Sequence, residues 1–363
     1  MTAYNDNGMP KKNLLSTQID LSKFSAQDFT LATEEEKRQQ DVMSESTTFF
    51  KDGMRKLFKN PLAVMSLIIL AVVLVTIIVA PFIVPYNYEE ILSVNGKRDK
   101  GAKNLAPFTY SVMEQKYIDQ GGERFPHIFG TDEQCRDYFI RVIYGARVSL
   151  AIGFFAAVIV LIIGLIYGSV SGYMGGKVDL IMMRIVDVIY SLPDMLMIIL
   201  LSVVLNEVIK FPAGSMLAKL GTNMVSLFVV FGLLYWVGMA RLIRGQILSI
   251  KENEYVLAAQ SIGASSGWII RKHIIPNCIS VIFVSAALQI PSAIFTESFL
   301  SFMGLGVRAP MPSLGSLANA AREGLQSYPY KLVFPALIIC LIVLSLNLLG
   351  DGLRDAFDPK LKR

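Results

Sequence analysis

The chain has 363 residues, of which 53% are hydrophobic and 17% charged, and its mean hydropathy is +0.50. A water-soluble globule of this length could not bury so much apolar surface, so the composition predicts an integral membrane protein. The net charge of +5 needs no nucleic-acid partner, because lysines and arginines beside the apolar segments account for it. Cys135, Cys278 and Cys340 are too few and too scattered to predict a disulfide framework or a thiolate metal site.

Six apolar segments are each close to the about 20 residues that a helix needs to cross a bilayer core. The predicted spans are residues 62–84, 148–170, 185–205, 225–243, 278–303 and 332–350. We therefore predict an all-α polytopic membrane protein with six transmembrane helices. An even number of spans places both chain termini on the same side of the membrane.

These spans divide the chain into five regions. They are an N-terminal extension at 1–60, a first transmembrane helix at 61–84, an outer segment at 85–147, a five-helix core at 148–351 and a tail at 352–363. The extension is mostly polar and has no sustained apolar period, so we expect it to be partly disordered. The first span begins after about 60 residues and is too long for the apolar region of a cleaved signal, so it should remain in the mature protein.

Basic residues beside the spans predict the orientation, because cytoplasmic loops carry an excess of lysine and arginine. Such clusters lie before the first span, after the fourth and after the sixth: Lys51, Arg55, Lys56, Lys59, Arg241, Arg244, Lys251, Arg271, Lys272, Arg354, Lys360, Lys362 and Arg363. We therefore expect both termini and the loop at 249–277 to be cytoplasmic. The segment 85–147 is also basic but is predicted to lie outside, because the charge of a loop has little effect on orientation once the loop reaches about 60 residues.

Glycines recur at every fourth position through the second predicted span and the turn after it. They are Gly164, Gly168, Gly172 and Gly176, and this spacing predicts a stripe that another helix can approach closely. The approaching helix could belong to the same subunit or to a paired membrane subunit.

Charged residues at the third span have local explanations. Arg184 and Asp187 are three residues apart on one helix, so we expect them to pair with each other. Asp194 follows Pro193, where the helix is expected to bend.

The loop at 249–277 reads as two short helices separated by a glycine. Asn253 or Ser249 can cap the first, and Glu254 in its first turn complements the positive end of the helix dipole. Gly263 can end that helix in the left-handed conformation. Ser265 or Ser266 can then cap the second helix, which Pro276 is predicted to stop.

The first of these helices carries a predicted contact surface. Tyr255, Ala259 and Ile262 are spaced to share one face, and Ala258 with Ala259 leaves a shallow area that a partner's groove could approach. A loop with this organisation is expected to dock against another protein.

The fifth span holds the candidates for a translocation path. A rise of about 1.5 Å per residue from Cys278 places Gln289 near mid-membrane, just before Pro291, and this kinked stretch is our candidate for the path. The same count places Glu297 about 28 Å across, near the outer face. Glu297 is expected either to shape an outer gate or to be a satisfied interfacial carboxylate.

The loop resembles the cytoplasmic coupling loop of the permeases of ABC importers. That pattern is Glu-Ala-Ala, three residues, Gly, nine residues, Ile, any residue, Leu-Pro, and Ala258-Ala259, Gly263 and Pro276 match it. The chain departs from it with Leu257 for Glu, His273 for Ile and Ile275 for Leu. His273 before Ile274-Ile275-Pro276 is similar to the peptide-transporting branch.

Other motifs strengthen the resemblance. Residues 129–137 are similar to Phe-Gly-Thr-Asp, two residues, Gly-Arg-Asp, with Cys135 in place of the glycine. Residues 144–150, 297–306 and 346–355 also look like the oligopeptide and dipeptide permeases of the C type. The resemblance covers about residues 59–362.

The resemblance implies the type I permease fold of ABC importers and one half of a membrane channel for oligopeptides. It also implies a second, related permease, two ATPase subunits and an extracytoplasmic peptide-binding protein as partners, with ATP used by the ATPases and no cofactor on this chain. The residues expected to couple to the ATPases are Glu254, Tyr255, Ala258, Ala259, Gly263, His273 and Pro276. A dipeptide, nickel or other small-solute permease of the same family is the alternative.

Two functions from other classes are less well supported. An ion-driven secondary transporter would call for an internal repeat and ionisable groups at mid-membrane, and neither is clear. Residues 263–267 match the letters of a Gly-x-Ser-x-Gly hydrolase motif, but a strand should precede it and the two histidines, His127 and His273, are predicted on opposite sides of the membrane. We expect no catalytic site.

Overall fold

The computed structural model describes residues 49–209, 211–212, 221–307 and 311–357. The chain divides into the units Met1–Lys51 and Asp52–Arg363, and all described elements apart from the first three residues of α1 belong to the second. The helices are α1 Phe49–Lys59, α2 Pro61–Ile83, α3 Val112–Asp119, α4 Tyr138–Met174, α5 Gly176–Tyr190, α6 Asp194–Val208, α7 Thr222–Leu234, α8 Trp236–Lys251, α9 Glu254–Ser261, α10 Ser266–Ile269, α11 Ile275–Phe302, α12 Leu314–Ala320 and α13 Tyr330–Phe357.

Five helical stretches are long and apolar enough to cross a membrane: Pro61–Ile83, Tyr138–Met174, Thr222–Lys251, Ser266–Phe302 and Tyr330–Phe357. The pair α5 and α6 passes the same test jointly but is bent by 85°. The predicted six spans are therefore met when this bent pair counts as one.

The N-terminal region is described only from Phe49 onward, so the polar stretch at 1–48 lies outside the described residues. Helix α1 follows, and Asn60 then begins α2 by accepting hydrogen bonds from the backbone of Leu62 and Ala63. Much of the apolar surface of α2 stays exposed in the single chain, as expected of a helix that faces lipid.

Helix α4 begins ten residues before the predicted second span, inside the segment predicted as 85–147. The cause is Asp137, whose side chain accepts a hydrogen bond from the backbone of Ile140 and starts the helix. The first turns of α4 are buried against the outer segment, where Arg141 donates to the carbonyl of Tyr88 at 3.0 Å. Average hydropathy missed these turns because they include charged residues.

The predicted span at 185–205 is wrong as a single helix. Residues 191–193 break it into α5 and α6, and Pro193 cannot donate the backbone hydrogen bond that would continue α5. The expected pair of Arg184 with Asp187 is also wrong, since Asp187 accepts a 2.7 Å hydrogen bond from Arg241 on α8. The fourth span is divided as well, with Tyr235 between α7 and α8.

Pro276 does not stop a helix, contrary to prediction. A π-helical turn at Ile270–Ile274 joins α10 to α11, and the chain stays helical from Ser266 to Phe302. The wider turn shifts the hydrogen-bond register, so that Pro276 stands in the first turn of α11, where its missing N–H is tolerated.

The glycine stripe of α4 packs inside this chain. A Cβ on Gly168 would lie 2.5 Å from the carbonyl oxygen of Ala240 on α8, and Cβ atoms on Gly164 and Gly172 would lie 2.6 and 3.1 Å from atoms of the same helix. The intramolecular alternative is therefore the one observed for these three. Gly176 is not part of the stripe: its φ of +54° begins α5, and a Cβ there would meet nothing within 4 Å.

The outer segment is a folded unit, which the sequence did not predict. It contains a hairpin of β1, Ser93–Val94, and β2, Lys97–Arg98, which pair antiparallel through a turn at Asn95 and Gly96. Both turn residues have positive φ, as the tight hairpin turn requires. A 3-10 turn at Lys100–Ala102 and the helix α3 complete the unit.

Candidate functional site

The loop between α8 and α11 has the predicted glycine break but not the predicted caps. Gly263 has a φ of +85° and ends α9. Asn253 and Ser265 stand at the N-cap positions of α9 and α10, yet neither side chain makes a capping hydrogen bond. Both short helices therefore depend on packing rather than on capping.

Packing divides the faces of α9 differently from the prediction. Val256 and Ala259 point inward, and Ala259 is only 6% exposed. Tyr255 and Ile262 are exposed and Ala258 lies on the same outer side, because these positions are three and four residues apart. The sequence predicted that Ala259 shares one face with Tyr255 and Ile262. In the structure Ala259 lies on the inner face instead.

The outer face of the loop is apolar and unusually exposed. Ile262 is 84% exposed, and Tyr255, Leu257 and Trp268 are each exposed by more than a third. The ring of His273 lies 4.9 Å from that of Trp268 and 6.2 Å from that of Tyr255, between centroids. A cluster of large apolar side chains on a hydrophilic loop marks an interaction surface, which we call the coupling face: Tyr255, Leu257, Ala258, Ile262, Trp268 and His273.

The inner side of the loop is fixed to the membrane helices. Val256, Ala259, Ile269 and Ile274 belong to one buried cluster with Ile247 of α8 and Cys278 of α11. The ammonium group of Lys251 also donates to the carbonyl of Tyr173 at the end of α4, at 2.8 Å. A force applied to the coupling face would therefore reach α8 and α11 through packed side chains.

A cavity of about 240 Å³ lies further along the same helices. It is lined by Ile189, Tyr190, Asp194, Ile198, Leu234, Tyr235, Val237, Gly238, Gln289 and Ser292. Two helix interruptions meet there, the bend between α5 and α6 and the break at Tyr235, and Pro291 of the continuous helix α11 lies between the lining residues Gln289 and Ser292. Interrupted helices at membrane depth are tolerated where they line a cavity or are buried in protein.

The three predicted path residues separate in the structure. Gln289 lines the cavity, whereas Pro291 is buried within α11 and does not. Glu297 is 0% exposed and is not among the residues that line the cavity. Its carboxylate is satisfied by hydroxyl groups, with Ser149 of α4 at 2.8 Å and Ser301 at 2.7 Å.

Glu297 thereby joins three helices. Ser149 donates to the carboxylate and also accepts a 3.3 Å hydrogen bond from the backbone of Leu314 at the start of α12. The residue holds α4, α11 and α12 together in this structure. A role of Glu297 as an outer gate stays a prediction.

A buried ionic network in the outer segment escaped the sequence reasoning. His127 is fully buried, with its Nδ1 2.8 Å from a carboxylate oxygen of Asp137 and its Nε2 3.1 Å from one of Glu114. Burial alone lowers the pKa of His127, but the bonds to Asp137 and Glu114 outweigh it and raise the pKa to about 9. The ring is therefore an imidazolium near neutral pH, and it donates to both carboxylates.

The same contacts hold Glu114 ionised. Burial raises the pKa of Glu114, but hydrogen bonds from His127 and from the backbone of Ser111 lower it overall. The ring of Tyr86 stacks on His127 with 5.0 Å between centroids and closes the network. His127 is 10 residues from Asp137 and 13 residues from Glu114, and such separations form no local pattern that predicts a contact. Of these three residues, only Asp137 lies in a sequence motif noted above, the one at 129–137.

The structure combines membrane-spanning helices, an exposed apolar loop that packs on two of them, and a cavity at helix breaks. Together these features define a polytopic membrane permease. One family model, described as binding-protein-dependent transport system inner membrane component, matches residues 161–363. A second, described as the N-terminal TM domain of oligopeptide transport permease C, matches residues 48–111.

Relatives match over nearly their full lengths. The chain is 39% identical to the oligopeptide transport system permease protein OppC of Bacillus subtilis, over 89% of this chain and 93% of that one. It is 42% identical to the dipeptide transport system permease protein DppC of the same organism, over 92% and 93%. Against OppC of Escherichia coli K12 the identity is 37%, over 87% and 93%. The chain belongs to the family of binding-protein-dependent inner membrane transport components, and its resemblance to the C-type peptide permeases is confirmed.

Proposed function

We propose that this chain is a membrane subunit of an ATP-driven importer of oligopeptides and forms half of the translocation path. The observation that carries this proposal is the coupling face: an exposed apolar surface fixed through Val256 and Ala259 to α8 and α11, two of the helices that line the cavity. Relatives named as oligopeptide permeases supply the substrate class.

The partners follow from the same proposal. A related permease completes the path, two ATPase subunits dock on the coupling faces, and an extracytoplasmic binding protein delivers the peptide. ATP is bound by the ATPases, and this chain carries no cofactor and no catalytic site. Closure of the ATPases would move the loop together with α8 and α11 and switch the path between outward and inward access.

The cell membrane is the proposed location, with both termini in the cytoplasm. Cysteine labelling tests this orientation with residues that the structure shows to be exposed. A cysteine at Lys97 in the hairpin should react with an impermeant thiol reagent in intact cells, and one at Ser265 should react only after the membrane is opened. Labelling of Ser265→Cys in sealed cells would contradict the orientation.

Reconstitution tests the function itself. The chain with its paired permease, the ATPases and the binding protein should accumulate labelled oligopeptide in proteoliposomes only when ATP is present. The single chain under a proton or sodium gradient without nucleotide should accumulate none. Accumulation by the single chain would contradict the proposal and favour an ion-driven transporter.

A dipeptide importer is the second candidate, because the identity to DppC of Bacillus subtilis matches that to OppC. Competition in the same assay separates the two. Uptake of a labelled pentapeptide that unlabelled dipeptides do not inhibit indicates an oligopeptide importer, and the reverse pattern indicates a dipeptide importer.

A further inference from the structure

The cavity at the helix breaks contains an acidic group that forms no ion pair with the described residues. Of the described residues that line it, Asp194 is the charged one, and Tyr190, Tyr235, Gln289 and Ser292 are polar. None of the ion pairs among the described residues includes Asp194. The cavity therefore presents a carboxylate that is free to meet a cation.

The depth of Asp194 makes this position informative. Helix α6 starts at Asp194 and has 15 residues. Such a helix is about 22 Å long, shorter than the about 30 Å of a bilayer core, so α6 alone does not cross the membrane, and Asp194 stands at the bend in the middle of the span that α5 and α6 form together. An exposed carboxylate at that depth is not stable against lipid and must face water or protein.

A basic side chain beside the cavity is already engaged. Arg241 donates to Asp187 at 2.7 Å, and its guanidinium lies 4.3 Å from the ring centre of Tyr190, on one wall of the cavity. This arrangement commits Arg241 to Asp187 and positions the ring of Tyr190. Among the described residues, no ion pair therefore neutralises the negative charge of Asp194.

The other wall is suited to a peptide. The hydroxyl of Tyr235 is held at 2.6 Å from that of Thr296 on α11, which fixes the ring at the cavity. Aromatic rings attract ammonium groups, and amide and hydroxyl side chains such as those of Gln289 and Ser292 bond peptide backbone in any sequence. The lining thus combines one cation-binding group with sequence-independent hydrogen bonding.

We propose that Asp194, with the rings of Tyr190 and Tyr235, forms a subsite that binds a primary ammonium group of the peptide in transit. The proposal rests on the proposed function and adds a contact by which the permease itself discriminates among substrates. The ammonium could be the peptide's amino terminus or a lysine side chain, and both present the same chemistry to the carboxylate.

The test compares the wild-type complex with a complex containing Asp194→Asn, using ATP-driven uptake in proteoliposomes. Three labelled tetrapeptides are used: tetra-alanine, its N-acetyl form, and an N-acetyl form with one lysine. The measured quantity is the ratio of wild-type to variant uptake at equal occupancy of the binding protein, so that the binding protein's own preference cancels. Glu207→Gln, on the outer part of the same helix, removes one charge as a matched control, and Asp194→Glu should restore uptake.

We expect Asp194→Asn to lower uptake of tetra-alanine about tenfold while the N-acetyl form without lysine is unaffected. If Asp194→Asn also lowers uptake of the N-acetyl peptide with lysine, the subsite binds any primary ammonium group. If uptake of that peptide is unchanged, the subsite selects the amino terminus. Equal ratios for all three peptides would overturn the subsite while leaving the proposed function intact. No ATP-driven uptake of any peptide by the wild-type complex would overturn both.

A pH series tests the same point with tetra-alanine alone. The α-amino group has a pKa of about 8, so the ammonium is lost between about pH 7 and pH 9. The ratio of wild-type to Asp194→Asn uptake should fall towards one over that range. A constant ratio would overturn the proposal.

Discussion

The segment between α2 and α4 and the loop between α8 and α11 are both polar connections between membrane helices, yet they treat their side chains in opposite ways. The first buries its charges: His127, Glu114 and Asp137 are inside and bonded to one another. The second leaves large apolar groups such as Ile262 and Trp268 outside. A segment whose buried charges pair with one another is stabilised by its own contacts. A segment that exposes large apolar side chains to water presents a surface for binding a partner.

Substitutions at two neighbouring alanines test this comparison with the largest expected effects. Ala258→Asp should abolish ATP-driven transport and release the ATPases during purification while the chain stays folded, because an unpaired charge buried at a contact costs about 1–3 kcal/mol or more. Ala259→Asp places the same charge inside the cluster with Ile269 and Ile274 and should instead reduce the yield of folded chain. The measurements are peptide uptake, ATPase co-purification and thermal unfolding in detergent.

Normal uptake by Ala258→Asp would show that the coupling face contacts nothing. A folded but uncoupled Ala259→Asp would show that the burial of Ala259 does not hold the loop to α8 and α11.

The two histidines of the chain provide the next largest contrast. His127→Ala leaves Glu114 and Asp137 buried without their cation and should destabilise the outer segment by about 3–5 kcal/mol. His273→Ala, at the edge of the coupling face, should change folding stability by about 0.5 kcal/mol or less. Thermal unfolding and the rate of proteolysis in the outer segment measure the difference. Equal unfolding temperatures for the two variants would contradict the role of the network.

The outer segment should also depend on pH in a definite direction. His127 has a pKa of about 9 when folded against about 6.5 when unfolded, so its stabilisation is complete below about pH 6.5 and is lost as the pH rises through about 9. The loss amounts to about 3 kcal/mol at most. Glu114 has a lowered pKa, so its contribution is lost on the acid side instead. Unfolding temperatures should fall between pH 7 and pH 9.5 in the wild type and stay flatter in His127→Ala.

The sequence predicted some parts of this molecule well, for physical reasons. Long apolar runs such as α2 and α13 are set by the thickness of the bilayer, and the left-handed Gly263 is set by local chemistry. Helix breaks were harder: Pro193 did bend its helix, yet Pro276 did not, because the π-helical turn before it absorbed the change of register. No local pattern distinguishes these two prolines.

Burial and long-range pairing could not be predicted from the sequence. The periodicity of α9 fits an inner face through Val256 and Ala259 as well as one through Tyr255 and Ala259, and only contacts with α8 and α11 decide. Asp187 has a basic neighbour three residues away but binds Arg241, which is distant along the chain and near in space. Asp194 was noted for its helix bend, whereas its place in the cavity depends on the assembly of five helices.

Cys135 gives the smallest effect and tests how tightly the outer segment is built. It has a φ of +59°, is buried beside Val84 and Leu92, and replaces the glycine of the family motif that it resembles. A left-handed residue other than glycine costs about 1–2 kcal/mol, so Cys135→Gly relieves strain but also removes buried thiol contacts. We expect the gain to exceed the loss by less than about 1 kcal/mol, whereas Cys135→Val, with a branched Cβ in the same conformation, should destabilise by about 1–3 kcal/mol. Unfolding temperatures should therefore rank glycine first, cysteine second and valine last. A valine variant as stable as the wild type would mean that the turn at Cys135 relaxes and that the buried network beside it is less rigid than its contacts indicate.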